Sequence, residues 1–150
     1  MELMSPAFEQ NQPIPMIYTC DGENVNPPLI ISNVPQHAKS LVIFVDDPDV
    51  PAQLGSIYHH WIIYNIPPET TELKEHHAPP GVQGKNSAGH VGYAGPCPPD
   101  REHRYFFKLY ALNEELGLAE GATREEVEKA MQGKVITQTK LVGKYERKNM

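Results

Sequence analysis

The stretch HRYFFKLYAL, residues 103–112, is the segment that decides the fold class most clearly. Aromatic and aliphatic residues dominate it, which is typical of a β-strand packed in a core. Alternation along a strand places His103, Tyr105 and Phe107 on one face. An imidazole and a phenol on one face of a rigid strand form a candidate binding site, and packing of the same side chains in the core is the alternative.

Other apolar runs predict partner strands for this segment. Each is rich in β-branched or aromatic residues and ends at proline, glycine or acidic residues, as strands commonly do. The longer runs cover residues 40–46, 56–66 and 134–145, and shorter candidates cover residues 16–20, 29–34 and 70–74.

A clear helix signal lies near the end of the sequence. Thr123 and Glu126 fit a capping box, apolar residues follow at helical spacing, and Gly133 stands where a helix end is expected. Residues 114–118 are predicted to add a short helical turn. Many strands with one or two late helices predict one all-β, mainly antiparallel domain over residues 1–150, of Greek-key or sandwich type.

The composition is that of an ordinary globular domain. Hydrophobic residues make up 39% of the 150 residues and charged residues 21%, with a formal net charge of −6. This balance argues against a general nucleic-acid or anionic-membrane surface, since both favour broad basic patches. No run is long and apolar enough to cross a bilayer, so we expect a soluble cytoplasmic protein.

The two cysteines, Cys20 and Cys97, form no Cys-x-x-Cys pair, which disfavours a structural zinc site. In a cytoplasmic protein we expect two reduced, packed thiols. The sequence leaves a disulfide between them open.

Two polar patches adjoin the strongest predicted strands. Residues 46–51 place carboxylates among prolines directly after a predicted buried strand, which holds the carboxylates in fixed positions. Residues 84–99, rich in glycine and proline, belong to a stretch of little periodicity over residues 75–100, and a loop of that length in a compact domain is usually functional or disordered. Either patch alone could equally be an ordinary turn.

Adjacent histidines, His59 and His60, lie inside the predicted strand 56–66. Alternation puts His60 on the face of Ile62 and His59 on the face of Trp61. One ring is then expected to face the core and the other to face away from it.

Four motifs follow one another in a characteristic order. They are Tyr-Thr-Cys-Asp-Gly-Glu-Asn-Val-Asn-Pro-Pro-Leu at residues 18–29, Asp-Pro-Asp-Val-Pro at 47–51, His-Trp-Ile-Ile-Tyr-Asn-Ile-Pro at 60–67, and Gly-Tyr-Ala-Gly-Pro-Cys-Pro-Pro at 92–99 with His-Arg-Tyr-Phe-Phe at 103–107. Together they resemble the motifs of the phosphatidylethanolamine-binding protein (Raf kinase inhibitor-like) family, and of its bacterial and archaeal branch in particular.

The resemblance implies a central antiparallel sheet flanked by a smaller one, with a ligand pocket at one end. The family's Asp-Pro-Asp-x-Pro motif has a cis peptide bond before its last proline, which makes Val50–Pro51 a candidate. Matched motif by motif, the implied pocket residues are Asp47, Asp49, Pro51, His60, Gly95, Pro96, His103 and Tyr105.

The same resemblance implies non-catalytic binding of small anions, such as phosphate or phospholipid head groups, without a cofactor. It also implies a homodimer and a protein partner of the kinase or serine protease class. The chain departs from the family pattern at Asp100-Arg101-Glu102, where a glycine is usual shortly before His-Arg-Tyr, and at Asn26, where the prokaryotic branch commonly has serine.

An enzymatic function is the alternative. His60, His103 and Asp47 could form a metal site of two histidines and one carboxylate, or Cys97 and His103 could serve as nucleophile and base. The metal version lacks the spacing of a zinc hydrolase motif, and Cys97 lies between prolines without an evident third orienting group. We therefore expect neither catalysis nor a bound metal.

Overall fold

The computed structural model describes residues 1–148 and is built mostly from β-strands. The one α-helix within these residues, α1 (Arg124–Met131), precedes the last strand, and 3-10 helices cover Met16–Tyr18 and Ala52–Leu54. No helix in this part of the chain is long and apolar enough to cross a membrane. The strands are β1 (Glu2–Met4), β2 (Gln12–Pro13), β3 (Leu29–Ser32), β4 (Ser40–Asp47), β5 (Tyr58–Ile66), β6 (Glu72–Leu73), β7 (Val82–Gln83), β8 (His103–Leu112) and β9 (Val135–Tyr145).

The strands form a central six-stranded sheet and a smaller three-stranded sheet. The central order is β2-β9-β8-β4-β5-β7, and its pairs are antiparallel except for β2 with β9; the smaller sheet has the order β1-β3-β6. After β4, β5 and β7, the chain returns through a long connection to place β8 beside β4, which is Greek-key order. The prediction of an all-β, mainly antiparallel fold with a smaller flanking sheet is confirmed.

Hydrophobic side chains pack on both faces of the central sheet. One core, which includes Val45, Phe107 and Leu29, fills the space between the two sheets. The second core lies on the other face, where Val127 and Met131 of α1 pack. Because both faces are covered, all 8 residues of β4 are buried and the strand is an almost unbroken apolar run in the sequence.

The predicted capping box of α1 is present. The Glu126 backbone N–H donates to the Thr123 hydroxyl at 3.2 Å, and the Thr123 N–H donates to the Glu126 carboxylate at 2.9 Å. The chain leaves the helix at Gly133, whose φ of 78° suits glycine.

Two short segments differ from their predictions. Residues 114–118 form no helical turn, because the side chain of Asn65 binds both the N–H and the carbonyl of Leu116. Residues 16–20 contain a 3-10 turn instead of a strand, since the N–H of Tyr18 bonds to the carbonyl three residues earlier.

Candidate functional site

A cavity of about 300 Å³ opens at one end of the central sheet, where β4 ends and β5 and β8 begin. One wall is the loop that holds residues 94–99. The structure brings six of the eight predicted pocket residues to this cavity: Asp47, Pro51, His60, Gly95, His103 and Tyr105.

Asp49 and Pro96 lie behind the cavity wall and do not line it. The Asp49 carboxylate accepts two bonds from the Arg104 guanidinium, at 2.9 and 2.8 Å, and one from the Arg104 backbone N–H at 2.9 Å. These bonds lower the pKa of Asp49 to about 2. The Pro96 carbonyl accepts the N–H of Cys20 at 3.1 Å, so both residues hold neighbouring segments together.

A β-bulge in β5 turns His60 toward the cavity. Trp61 pairs with Val45 and His59 pairs with Asp46, so His60 is an extra residue without a partner on β4. An extra residue reverses the side-chain alternation beyond it. His60 therefore lines the cavity and His59 bonds to Asp46 on the opposite face, which contradicts the predicted placement of both rings.

His103 lies fully buried between two carboxylates. Its Nδ1 is 2.6 Å from Oδ2 of Asp47, and its Nε2 is 2.7 Å from Oδ1 of Asp100. The two carboxylates thus hold the ring in place from both of its nitrogens. The other oxygen of Asp47 accepts the Asp49 N–H at 2.7 Å, and the bond from His103 lowers the pKa of Asp100.

His60 and Tyr105 present polar atoms without a partner. His60 Nδ1 is 2.6 Å from the Ala94 carbonyl oxygen and donates to it, while its Nε2 makes no hydrogen bond to the described residues. Burial lowers the pKa of His60, which favours a neutral ring. The buried Tyr105 hydroxyl has no hydrogen-bond partner in residues 1–148, and burial raises its pKa. The cavity therefore offers one O–H donor and one imidazole acceptor.

The loop wall is fastened to the N-terminal part of the chain. A disulfide joins Cys97 to Cys20, and the N–H of Gly95 donates to the Asn24 side-chain oxygen at 2.8 Å. Gly95 is required here because a Cβ atom would overlap the Tyr18 carbonyl oxygen and the Asn24 side chain. These contacts fix the backbone that supplies the Ala94 carbonyl.

The disulfide overturns the expectation of two reduced thiols. The two Cα atoms are 5.4 Å apart although 77 positions separate them in the sequence, a distance typical of bridged cysteines. Folding brings together two loops whose proximity the sequence pattern does not reveal. A bridged Cys97 also has no thiol to act as a nucleophile.

The expected cis peptide bond at Val50–Pro51 is likewise absent, as residues 1–148 contain no cis peptide. The trans form is the lower in free energy for most X–Pro bonds. Here it leads into the 3-10 helix, where the Pro51 carbonyl accepts the N–H of Leu54 at 2.9 Å.

The alternative metal site is not assembled in the described chain. No group of three or more histidine, cysteine, aspartate or glutamate side chains in residues 1–148 is placed to hold a metal ion. The nitrogens of His103 already bond to Asp47 and Asp100.

Sequence reasoning missed three contributors to the site. Asp100, which departs from the family pattern, binds His103 Nε2 through its carboxylate. The ring of Tyr58 lies 4.7 Å from that of His60 and lines the cavity, and the Ala94 carbonyl fixes the His60 tautomer. An acidic residue three positions before His103 was the available sequence signal for Asp100. Tyr58 and the Ala94 carbonyl had no such signal, because their positions depend on the bulge and the loop.

A second polar cluster lies on the opposite face of the same strands. The buried Asp46 carboxylate accepts bonds from Lys108 and Arg124, both at 3.0 Å, and lies 2.8 Å from His59 Nδ1. Burial alone would raise the pKa of Asp46, but these partners lower it well below its ordinary range. All its close partners are internal, which indicates a structural role.

Comparisons with known proteins agree with the fold and the motifs. The family model described as phosphatidylethanolamine-binding protein matches residues 4–146. A UPF0098 protein of Methanothermobacter thermautotrophicus is 49% identical over 98% of this chain and 99% of its own length. A crystal structure of a phosphatidylethanolamine-binding protein homologue from Chlamydia trachomatis has a TM-score of 0.94 at 46% identity, over 97% of this chain and 96% of that one.

The YbcL structure from Escherichia coli, described as a member of the mammalian family, has a TM-score of 0.89 at 30% identity and covers 98% of both chains. The likeness extends over nearly the whole length in each comparison. On the family match, the identity to these relatives and the shared fold, the chain belongs to the phosphatidylethanolamine-binding protein family.

Proposed function

We propose that this protein is a non-catalytic binding protein whose pocket holds a small anion, such as phosphate or the phosphate of a phospholipid head group. The Tyr105 hydroxyl carries the proposal, because it is a buried donor at the cavity without a partner in the described chain. A buried donor left unpaired costs about 1–3 kcal/mol. An oxygen of a bound phosphate would recover this free energy.

The neighbouring groups complement such a ligand. The free Nε2 of His60 is an acceptor and suits the hydroxyl of a protonated phosphate, while Tyr105 donates to another oxygen. At about 300 Å³ the cavity is at the small end of the range for ligand sites. Pro51, Leu54 and Pro98 add an apolar wall that suits the carbon side of a phosphate ester.

The hydrogen bonds of the site support binding over catalysis. His60 is oriented by a backbone carbonyl, and no carboxylate of residues 1–148 bonds to its ring. Both nitrogens of His103 bond to carboxylates, and Cys97 is bridged to Cys20. A general base with an oriented nucleophile beside it, which covalent catalysis requires, is not formed by these residues.

Replacement of Tyr105 by phenylalanine tests the proposal. Phosphate and phosphoethanolamine would be titrated into the protein while the histidine ring signals are followed by NMR. We expect shifts at His60 and His103 in the wild type, and a loss of affinity of roughly tenfold in Tyr105→Phe because one hydrogen bond to a charged oxygen is removed.

Tyr110→Phe is the matched control. Tyr110 lies on the same strand but packs against the core under α1, so its loss of a hydroxyl should leave phosphate affinity unchanged. Equal affinity of wild type and Tyr105→Phe, or absence of ring shifts at millimolar phosphate, would reject the proposed function.

Three further expectations stay predictions: the homodimer, a protein partner of the kinase or serine protease class, and a cytoplasmic location. Sedimentation of the purified protein would test the first. Capture of a partner that phosphate releases would connect the second to the pocket.

A further inference from the structure

Asp100 lies beside the cavity without lining it, and its carboxylate binds one ring nitrogen of a cavity residue. Its Oδ1 lies 2.7 Å from Nε2 of His103, a cavity-lining residue, and Asp100 directly follows the lining residues Pro98 and Pro99. This inference rests on the proposed function, since it concerns which anions the same pocket accepts.

The burial of the two partners shows which one can move. The side chain of His103 is fully buried, whereas that of Asp100 is 41% exposed. His103 is also held from the other side by Asp47. The carboxylate of Asp100 therefore lies between a fixed, buried ring nitrogen and solvent.

Within residues 1–148, little besides His103 holds the Asp100 carboxylate in place. Its other charged neighbour is Arg101, at 3.9 Å, and both side chains of that pair are largely exposed. Exposed ion pairs contribute little to the stability of one side-chain position. Rotation of Asp100 toward solvent would free Nε2 of His103 without disturbing the strands.

We propose that Asp100 is a specificity-determining residue that acts as an internal competitor for the anion pocket. A monocarboxylate brings the same chemical group that Asp100 already supplies at high local concentration, so it gains nothing by exchange. A phosphate group brings additional oxygens and a hydroxyl, which can bond to Tyr105 and His60 while Asp100 stays on His103, so the competing carboxylate weakens its binding less. Asp100 thus makes the pocket select phosphate groups over simple carboxylates.

The test measures inorganic phosphate and acetate binding to the wild type, Asp100→Ala and Asp100→Asn by calorimetry, with ring signals of His60 and His103 followed by NMR. We expect acetate affinity to rise roughly tenfold in Asp100→Ala, because the competing charge-assisted hydrogen bond is removed. Phosphate affinity should rise less, so that the ratio of phosphate to acetate affinity falls.

Glu102→Gln is the control for charge. Glu102 is exposed, and its substitution removes one negative charge close in sequence to Asp100. A purely electrostatic effect would raise affinity equally in this variant, whereas an internal competitor predicts a change of less than about twofold. Asp100→Asn keeps the size of the side chain and replaces Asp100→Ala as the test variant if the alanine variant fails to fold.

Each outcome separates this inference from the proposed function. Phosphate binding in the wild type, with an acetate affinity that is unaltered in both Asp100 variants, would refute the competitor and leave the pocket intact. Weaker binding in the variants would also refute it and would make Asp100 a positioning residue for His103. Lack of phosphate binding in wild type and variants alike would overturn both proposals.

Discussion

Asp49 and Arg104 form a bidentate ion pair behind the pocket wall, with Oδ1–Nη2 and Oδ2–Nε distances of 2.8 and 2.9 Å. The Arg104 backbone N–H donates to the same carboxylate. This pair joins the loop after β4 to the start of β8, so it holds the two segments that carry Asp47 and His103. Its contribution to folding should depend on pH in a defined direction.

The pKa of Asp49 is lowered to about 2 in the folded protein, against about 3.9 in an unfolded chain. The pair therefore stabilises the folded state above about pH 4, and this contribution is lost as the pH falls toward 2. We expect Asp49→Asn to lower the free energy of unfolding by about 1 kcal/mol at pH 6.

Urea unfolding at pH 6, 4 and 2.5 would measure this effect. The difference between wild type and Asp49→Asn should shrink toward zero at the lowest pH, since the wild-type carboxylate is then becoming protonated. A difference that stays constant across the three values would contradict the role of the ion pair.

The positions of individual residues agree with the sequence pattern where a motif and a strand coincide. Alternation along residues 103–112 placed His103 and Tyr105 on one face, and the structure brings both to the cavity. The Ala94 carbonyl could not be predicted as a hydrogen-bond partner of His60, because it is contributed by a loop with no periodic pattern.

At the level of elements, strand β8 has the bounds that its apolar pattern predicted, and β4 extends one residue beyond the predicted 40–46. Both strands lie inside the central sheet, where burial imposes a continuous apolar sequence. Segments that depend on a distant side chain were predicted wrongly, as Asn65 determines the backbone bonding of residues 114–118.

The capping box of α1 allows a prediction at this scale. Thr123→Ala removes the hydroxyl that accepts the Glu126 N–H, and we expect the free energy of unfolding to fall by about 1 kcal/mol. Chemical denaturation would measure the change. Thr123→Ser keeps the acceptor and should unfold nearly as the wild type does; an equal loss in both variants would show that the methyl group, not the cap, matters.

For the molecule as a whole, the Cys20–Cys97 disulfide connects segments 77 positions apart. A cross-link of this span reduces the conformational entropy of the unfolded chain and stabilises the fold by about 4 kcal/mol in the chain-entropy model. The double variant Cys20→Ser, Cys97→Ser should therefore melt at a clearly lower temperature.

Thermal melting of the wild type with and without dithiothreitol, beside the same two scans of the double variant, would measure this contribution. The reductant should lower the wild-type midpoint toward that of the variant and leave the variant unchanged. If the disulfide is fully reduced and the wild-type melting midpoint does not change, the disulfide does not stabilise the fold.

The order of the four motifs predicted the two-sheet fold. No local sequence pattern predicted which distant residues contact each other. Cys20 and Cys97 lie in two loops far apart in the sequence, which the bond from the Cys20 N–H to the Pro96 carbonyl also joins. Likewise the bulge at His60 arises because β5 has one more residue than β4 between two consecutive pairs. The sequence of either strand alone does not reveal this difference.

That bulge has a consequence for anyone who aligns or redesigns this chain. The number of residues between Tyr58 and Trp61 determines which of the two histidines lines the cavity, more than the types of residue found there. A one-residue deletion there would remove the bulge, so that the remaining histidine would pair with Asp46 and the cavity would lose its imidazole from β5, with the amino-acid composition almost unchanged. Gap placement in this strand, more than percentage identity, decides whether a homologue inherits the pocket.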